Sequence, residues 1–267
     1  MKRFILNQTP DADGTIRLLG DDYHYLVRVR RLAPGEFFPA LLPSGAETLI
    51  KICSVEGGIL RGECHVTVDA QGPVCDVPPP IVLFQALPKG EKMDMIVRQA
   101  AEGGLAEIVP FVSEFSISKI SGEAKSRSKT ARWERIIKEA RQQSGSAIAT
   151  AVRQPLSMDE LFAYWEELKN RQPKALGLLF HHLPLAQVSL HEYLDSVPEM
   201  AALAIGPEGG FSSAEVSRFL EAGFKPLTIG NTVLRTETAA LYGAAAIRTI
   251  LLERDSWELK QRQPVNG

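Results

Sequence analysis

The sequence predicts an α/β protein in two parts, a small β-barrel first and then a larger domain on a mostly parallel sheet. Three observations predict it. Residues 1–72 hold short β-prone runs separated by glycine and proline turns. Beyond a proline-rich stretch, apolar strand runs alternate with segments of helical spacing. Two of those strands, near 205 and 229, lead through glycine-bearing turns directly into helices. The expected boundaries are 1–72 for the barrel, 73–255 for the α/β domain and 256–267 for a polar tail.

In the barrel, the runs 15–18, 36–42, 48–52 and 59–68 read as strands. Asp13-Gly14, Pro34-Gly35, Ser44-Gly45 and Gly57-Gly58 punctuate them. A helical interruption is expected over 21–32, with Asp21 or Asp22 as its N-cap. Gln71-Gly72-Pro73 and Pro78-Pro79-Pro80 mark a linker. The run 81–87 is apolar enough for a buried strand. A helix is expected over 91–103, with Met93, Ile96, Val97 and Ala100 on one side. Further strands are expected at 107–112, 175–180, 201–205 and 226–229, and helices at 130–144, 158–169, 213–221 and 236–253. No internal repeat is visible.

Composition narrows the class of function. At 45% apolar residues the chain can fill cores, so wholesale disorder is not expected. No apolar run is long enough for a membrane span, and the apolar opening is too short for a signal peptide. Cys53, Cys64 and Cys75 match no paired-cysteine zinc pattern and are expected to be reduced thiols in a cytoplasmic protein. His181-His182 has no acidic cluster beside it, so no metal site is expected. Trp133, Trp165 and Trp257 read as helix packing. The net charge of −2 excludes a generally basic nucleic-acid binder. Charge is nevertheless uneven: residues 116–153 carry nine Lys/Arg against three Glu, and Arg28, Arg30 and Arg31 form a second cluster. Such patches suit one polyanion at one face, and they suit an ordinary solvated surface equally.

Two turns carry the chemistry. In Ile205-Gly206-Pro207-Glu208-Gly209-Gly210-Phe211-Ser212, three glycines permit positive φ and close approach to a ligand. Ser212 and Glu215 have capping-box spacing. The pattern is neither Gly-x-Gly-x-x-Gly nor a Walker loop. In Ile229-Gly230-Asn231-Thr232-Val233-Leu234-Arg235-Thr236-Glu237-Thr238, hydroxyls and a carboxylate crowd a helix start, with Arg235 just ahead. Each turn alone reads equally well as a tight, capped loop; the two together can converge on one pocket.

Gly206-Pro207-Glu208-Gly209-Gly210-Phe211 and Leu234-Arg235-Thr236-Glu237-Thr238-Ala239 resemble, without a mismatch, the paired signatures of the RsmE family of SPOUT methyltransferases. Arg3-Phe4, Tyr25–Leu32 and the stretch Leu87-Pro88-Lys89-Gly90-Glu91-Lys92-Met93 also resemble that family, so the likeness spans nearly the whole chain. The resemblance implies a PUA-like β-barrel and a SPOUT-type trefoil-knotted α/β domain. It also implies a homodimer, S-adenosyl-L-methionine as cofactor, and methylation of N3 of a uridine in 16S ribosomal RNA of the small subunit. Cofactor contacts are then expected from Ile205, Gly206, Pro207, Glu208, Gly209, Gly210, Ile229, Gly230, Leu234, Arg235, Thr236 and Thr238. Arg235 is the catalytic candidate, stabilising negative charge on the base. Arg3, Arg28, Arg31 and Lys89 are the RNA-binding candidates.

The sequence departs from the family pattern at several points. Gln142 and Ser146 stand where an acid and an arginine are usual, Phe115 and Thr232 where arginines are common, and Tyr25 where a histidine is common. Two other readings remain at this point: methylation of another RNA base, and a non-catalytic RNA-binding factor in ribosome assembly.

Overall fold

A computed structural model describes residues 4–43, 46–65, 78–116, 122–181, 185 and 187–254. It forms two compact units, one of 1–76, 97–106 and 131–151, the other of 77–96, 107–130 and 152–267.

The first unit contains a curled half-barrel of five strands. Strands β1 (Phe4–Ile5), β2 (Thr15–Leu18), β3 (Phe37–Leu41), β4 (Glu47–Glu56) and β5 (Ile59–His65) take the order β1-β3-β4-β5-β2. Only β1 pairs parallel, with β3; the other pairings are antiparallel. Alternate residues of β4 face inward, Thr48, Ile50 and Ile52 being buried, as period-two patterning requires. Phe4, Phe38, Ile50 and Leu60 join Leu26 in its core.

Between β2 and β3 the expected helix is one α-turn, α1 (Gly20–Tyr23), running into a π-turn over His24–Val29. Neither Asp21 nor Asp22 is the cap: Leu19 holds that position and makes no side-chain bond. The widened turn buries only Leu26 and leaves Arg28 exposed. Arg31 follows in the left-handed region, at φ 58°. Cys53 and Cys64 are free thiols; Cys75, the Gln71-Gly72-Pro73 segment, His182 and Trp257 lie outside the described residues.

The remaining strands are β6 (Ile81–Ala86), β7 (Glu107–Phe111), β8 (Ala151–Val152), β9 (Ala175–Phe180), β10 (Met200–Ile205) and β11 (Lys225–Leu227). They form one sheet of order β11-β9-β10-β6-β7-β8, and β6, β7, β9, β10 and β11 pair parallel. Every residue of β6 and β10 is buried, which explains why both are apolar throughout except at Gln85. The helices are α2 (Lys92–Glu102), α3 (Glu123–Ser144), α4 (Met158–Arg171), α5 (Leu190–Tyr193), α6 (Ser213–Glu221) and α7 (Thr236–Arg254). Phe84, Phe111, Trp165, Phe211, Phe219 and Phe224 cluster in the core of the second unit. Trp165 is thus a packing residue, its indole N–H donating to the Ala222 carbonyl at 2.9 Å. Trp133 is likewise buried. No helix among the described residues is long and apolar enough to cross a membrane.

Candidate active site

The first turn begins where β10 ends, at Ile205. A Cβ on Gly206 would lie 3.2 Å from the backbone of Gly210, so a side chain there would require the doubled-back turn to give by a few tenths of an ångström. Of its three glycines only Gly210 has positive φ, at 71°, and its N–H donates to the Pro207 carbonyl at 2.9 Å. The capping box forms as its spacing predicts. The Glu215 N–H donates to Ser212 Oγ at 3.3 Å, and the Ser212 N–H to Glu215 Oε2 at 2.9 Å. Glu215 is buried and reaches further, accepting from the Ser113 hydroxyl at 3.1 Å and the Glu114 N–H at 2.8 Å.

The second turn leaves β11 at Leu227, earlier than the sequence predicts. Thr228 is drawn off the sheet: its N–H donates to Gln187 Oε1 at 2.7 Å and its hydroxyl to the His181 carbonyl at 3.0 Å. Asn231, Thr232 and Val233 are exposed, and α7 opens at Thr236.

One hydroxyl joins the two turns. Thr236 Oγ1 donates to the Gly206 carbonyl at 2.7 Å and accepts from Gln85 Nε2 at 3.0 Å. Gln85 Nε2 also donates to the Ala86 carbonyl at 2.9 Å, and the Gln85 side chain is fully buried. This bond brings the residues after β10 and the start of α7 to the carboxyl end of β6, where open parallel sheets bind ligands.

Both turns line one cavity of about 750 Å³, within the range of small-molecule sites. Its wall contains Ile205, Gly206, Pro207, Glu208, Gly209, Gly210, Ile229, Gly230, Leu234, Arg235 and Thr236, all expected from sequence. Thr238 does not line it. On a helix, residues 236 and 239 share a face and 238 points elsewhere, and Ala239 takes the place on the wall. Lys92, Phe180, His181, Phe211, Thr228 and 231–233 complete the lining.

Gln85 and Lys92 join the site without having been site candidates from sequence. A signal existed for Gln85, the one polar residue in the run 81–87. For Lys92 the signal was its place in the family-like stretch 87–93; its partners, distant along the chain, left no local mark. Its ammonium lies 2.7 Å from Glu208 Oε1 and 3.5 Å from Glu237 Oε2. The hydrogen bond to Glu208 raises the Lys92 pKa above its ordinary value. Burial pushes the Glu208 carboxyl up, but the Lys92 ammonium and backbone N–H groups, including that of Lys89, bring it below its usual value.

Among the RNA-binding candidates, Lys89 is exposed, and its backbone N–H donates to both oxygens of Glu208 at 3.2 Å. Arg28 and Arg31 are exposed in the first unit, and Arg3 lies outside the described residues. Among the described residues no three His, Cys, Asp or Glu are placed to share a metal ion.

The family model of an RNA methyltransferase domain matches residues 76–248, which holds both turns and the cavity. A relative from Aquifex aeolicus, the ribosomal RNA small subunit methyltransferase E, is 32% identical over 224 residues, covering 83% of this chain and 88% of the relative. This chain belongs to the ribosomal RNA small subunit methyltransferase E family. The family protein from Synechocystis sp. is 30% identical over 250 residues, covering 93% of this chain and 78% of its own. The fold matches as well. The crystal structure of the family protein from Neisseria gonorrhoeae, bound to S-adenosyl methionine, superposes with a TM-score of 0.75 at 26% identity. That alignment covers 94% of this chain and 98% of the other.

Proposed function

We propose that this chain is a cytoplasmic, S-adenosylmethionine-dependent methyltransferase acting on N3 of a uridine in small-subunit ribosomal RNA. The single observation that carries the reading is the convergence of both turns on one cavity, joined through Thr236. The cavity fits the cofactor's chemistry. Ile205, Ile229, Leu234 and Ala239 give an apolar wall for a purine, and the glycine turns bring backbone groups within reach of its polar edge. Bound there, S-adenosylmethionine supplies an activated methyl group.

What the chain itself must do is align and stabilise. Arg235 is exposed on the cavity wall, where its guanidinium can stabilise negative charge on a uridine that gives up its N3 proton. Glu237 is engaged with Lys92, and the N3 proton is assigned to solvent water or to the RNA rather than to that carboxylate. N3 is hidden in a paired base, so the target is unpaired or splayed out. Residues 1–72 are assigned to holding RNA, through Arg3, Arg28 and Arg31, and 73–255 to the chemistry, with Lys89 on RNA beside the cavity. The order β9-β10-β6, with β10 inserted between two earlier strands, is read as the trefoil-knotted arrangement of SPOUT enzymes. Leu241 and Tyr242 are exposed apolar residues on α7 and support the reading of a homodimer joined there.

The test is mass mapping of ribosomal RNA from cells lacking the protein, together with calorimetry against S-adenosylmethionine. Loss of a single N3-methyluridine and a binding isotherm are expected. An unchanged map rejects the substrate, and absence of heat rejects the enzyme.

A further inference from the structure

Lys92 stands on the cavity wall between carboxylates contributed by both turns. Glu208 belongs to the turn after β10 and is held from the other side by the Lys89 N–H. Glu237 belongs to the first turn of α7, is only 7% exposed, and its Oε2 has no hydrogen-bond partner. A carboxylate so placed is costly unless a countercharge stands close by, and the Lys92 ammonium at 3.5 Å supplies one. The same ammonium makes its short contact with Glu208, at 2.7 Å. One cation therefore ties the Glu208 side of the first turn to the start of the helix that ends the second. It does so on the side chains, whereas Thr236 joins the same two segments through a backbone carbonyl.

We infer that Lys92 is a positioning residue for the cofactor. Its charge holds Glu208 and Glu237, and through them the two turns, in the arrangement that binds S-adenosylmethionine. This rests on the proposed function above, and the assignment is for the ammonium itself, not for its bulk.

The test is isothermal calorimetry with S-adenosylmethionine on the full-length protein and three variants, with near-ultraviolet circular dichroism to verify the fold. Lys92→Met keeps the length of the side chain and removes the charge. It is expected to weaken binding about tenfold, the scale of a lost coupling between close charged partners. Lys92→Arg keeps the charge and is expected to bind within about threefold of the unaltered protein. The double variant Lys92→Met/Glu237→Gln removes the stranded buried carboxylate along with its partner. It is expected to stay about tenfold weaker than the unaltered protein, because the cation that ties the two turns is still missing, whereas recovery would mean that only the stranded carboxylate mattered. It also serves as the folded comparison should Lys92→Met alone unfold.

Binding by Lys92→Met equal to that of the unaltered protein would overturn the inference. So would a folded double variant that binds as tightly as the unaltered protein, or an arginine variant as weak as the methionine one. Absence of binding by the unaltered protein would instead remove the proposed function, and this inference with it.

Discussion

The two turns of the cavity are built on opposite principles. The turn between β10 and α6 is closed from within: Gly210 bonds back to Pro207, Ser212 and Glu215 cap each other, and Glu215 also accepts two bonds from 113–114. The turn between β11 and α7 is held at its ends, by Gln187 and His181 at Thr228 and by Gln85 and Gly206 at Thr236. Its middle, 231–233, is exposed, and Val233 is 78% exposed. The first is a preformed wall whose shape owes nothing to a ligand. The second has few internal bonds to set its shape, which is where ligand-dependent ordering concentrates.

Breaking the internally closed turn should cost most. Glu215→Ala strands three donors at a buried site and removes a helix cap. A loss of about 3 kcal/mol in the unfolding free energy is expected by urea titration. A cost below about 1 kcal/mol would mean the turn is not held from within. Thr236→Val comes next. It removes the hydroxyl that joins the turns and leaves the Gly206 carbonyl and the Gln85 amide short of a partner. About 1–2 kcal/mol is expected in the same assay, with a weakened calorimetric affinity for S-adenosylmethionine; unaltered affinity would show that the joint does not shape the cavity.

A smaller effect is expected from acid. The folded-state pKa of Glu208 lies below its usual value, so the stability it contributes is present above the ordinary carboxylate range. That contribution is lost as pH falls through the lowered value, below 4.5. Glu208→Gln should therefore flatten the acid limb of a stability-against-pH curve, and an unchanged limb would place the dependence elsewhere. The smallest effect is expected at the tip of the other turn. Val233→Ser should change the unfolding free energy by less than about 0.5 kcal/mol, because the side chain buries little. A larger cost would remove the contrast between the turns.

Helix α6 was readable because its signals are local: Ser212 and Glu215 are three residues apart and need only each other. Strands β6 and β10 were readable because burial on both faces writes itself as an apolar run, interrupted in β6 only by Gln85. Helix α3 begins at Glu123, earlier than the expected 130, because its first turns bury almost nothing and show no apolar periodicity. The π-turn at His24–Val29 had no visible signal, since the same residues fit an ordinary helix.

For the site, the sequence alone determined the two motifs and their chemistry, and through the resemblance it joined them to one cofactor. Local spacing is enough to define a cap, a tight glycine turn or a charged helix start. Only the tertiary structure decided that Gln85, far along the chain, would orient Thr236, that Lys92 would stand between Glu208 and Glu237, and that Thr238 would face away from the cavity. Those outcomes depend on which strands lie side by side in the sheet and on the rotation of α7. Both are set by packing over the whole core and leave no mark in the local pattern.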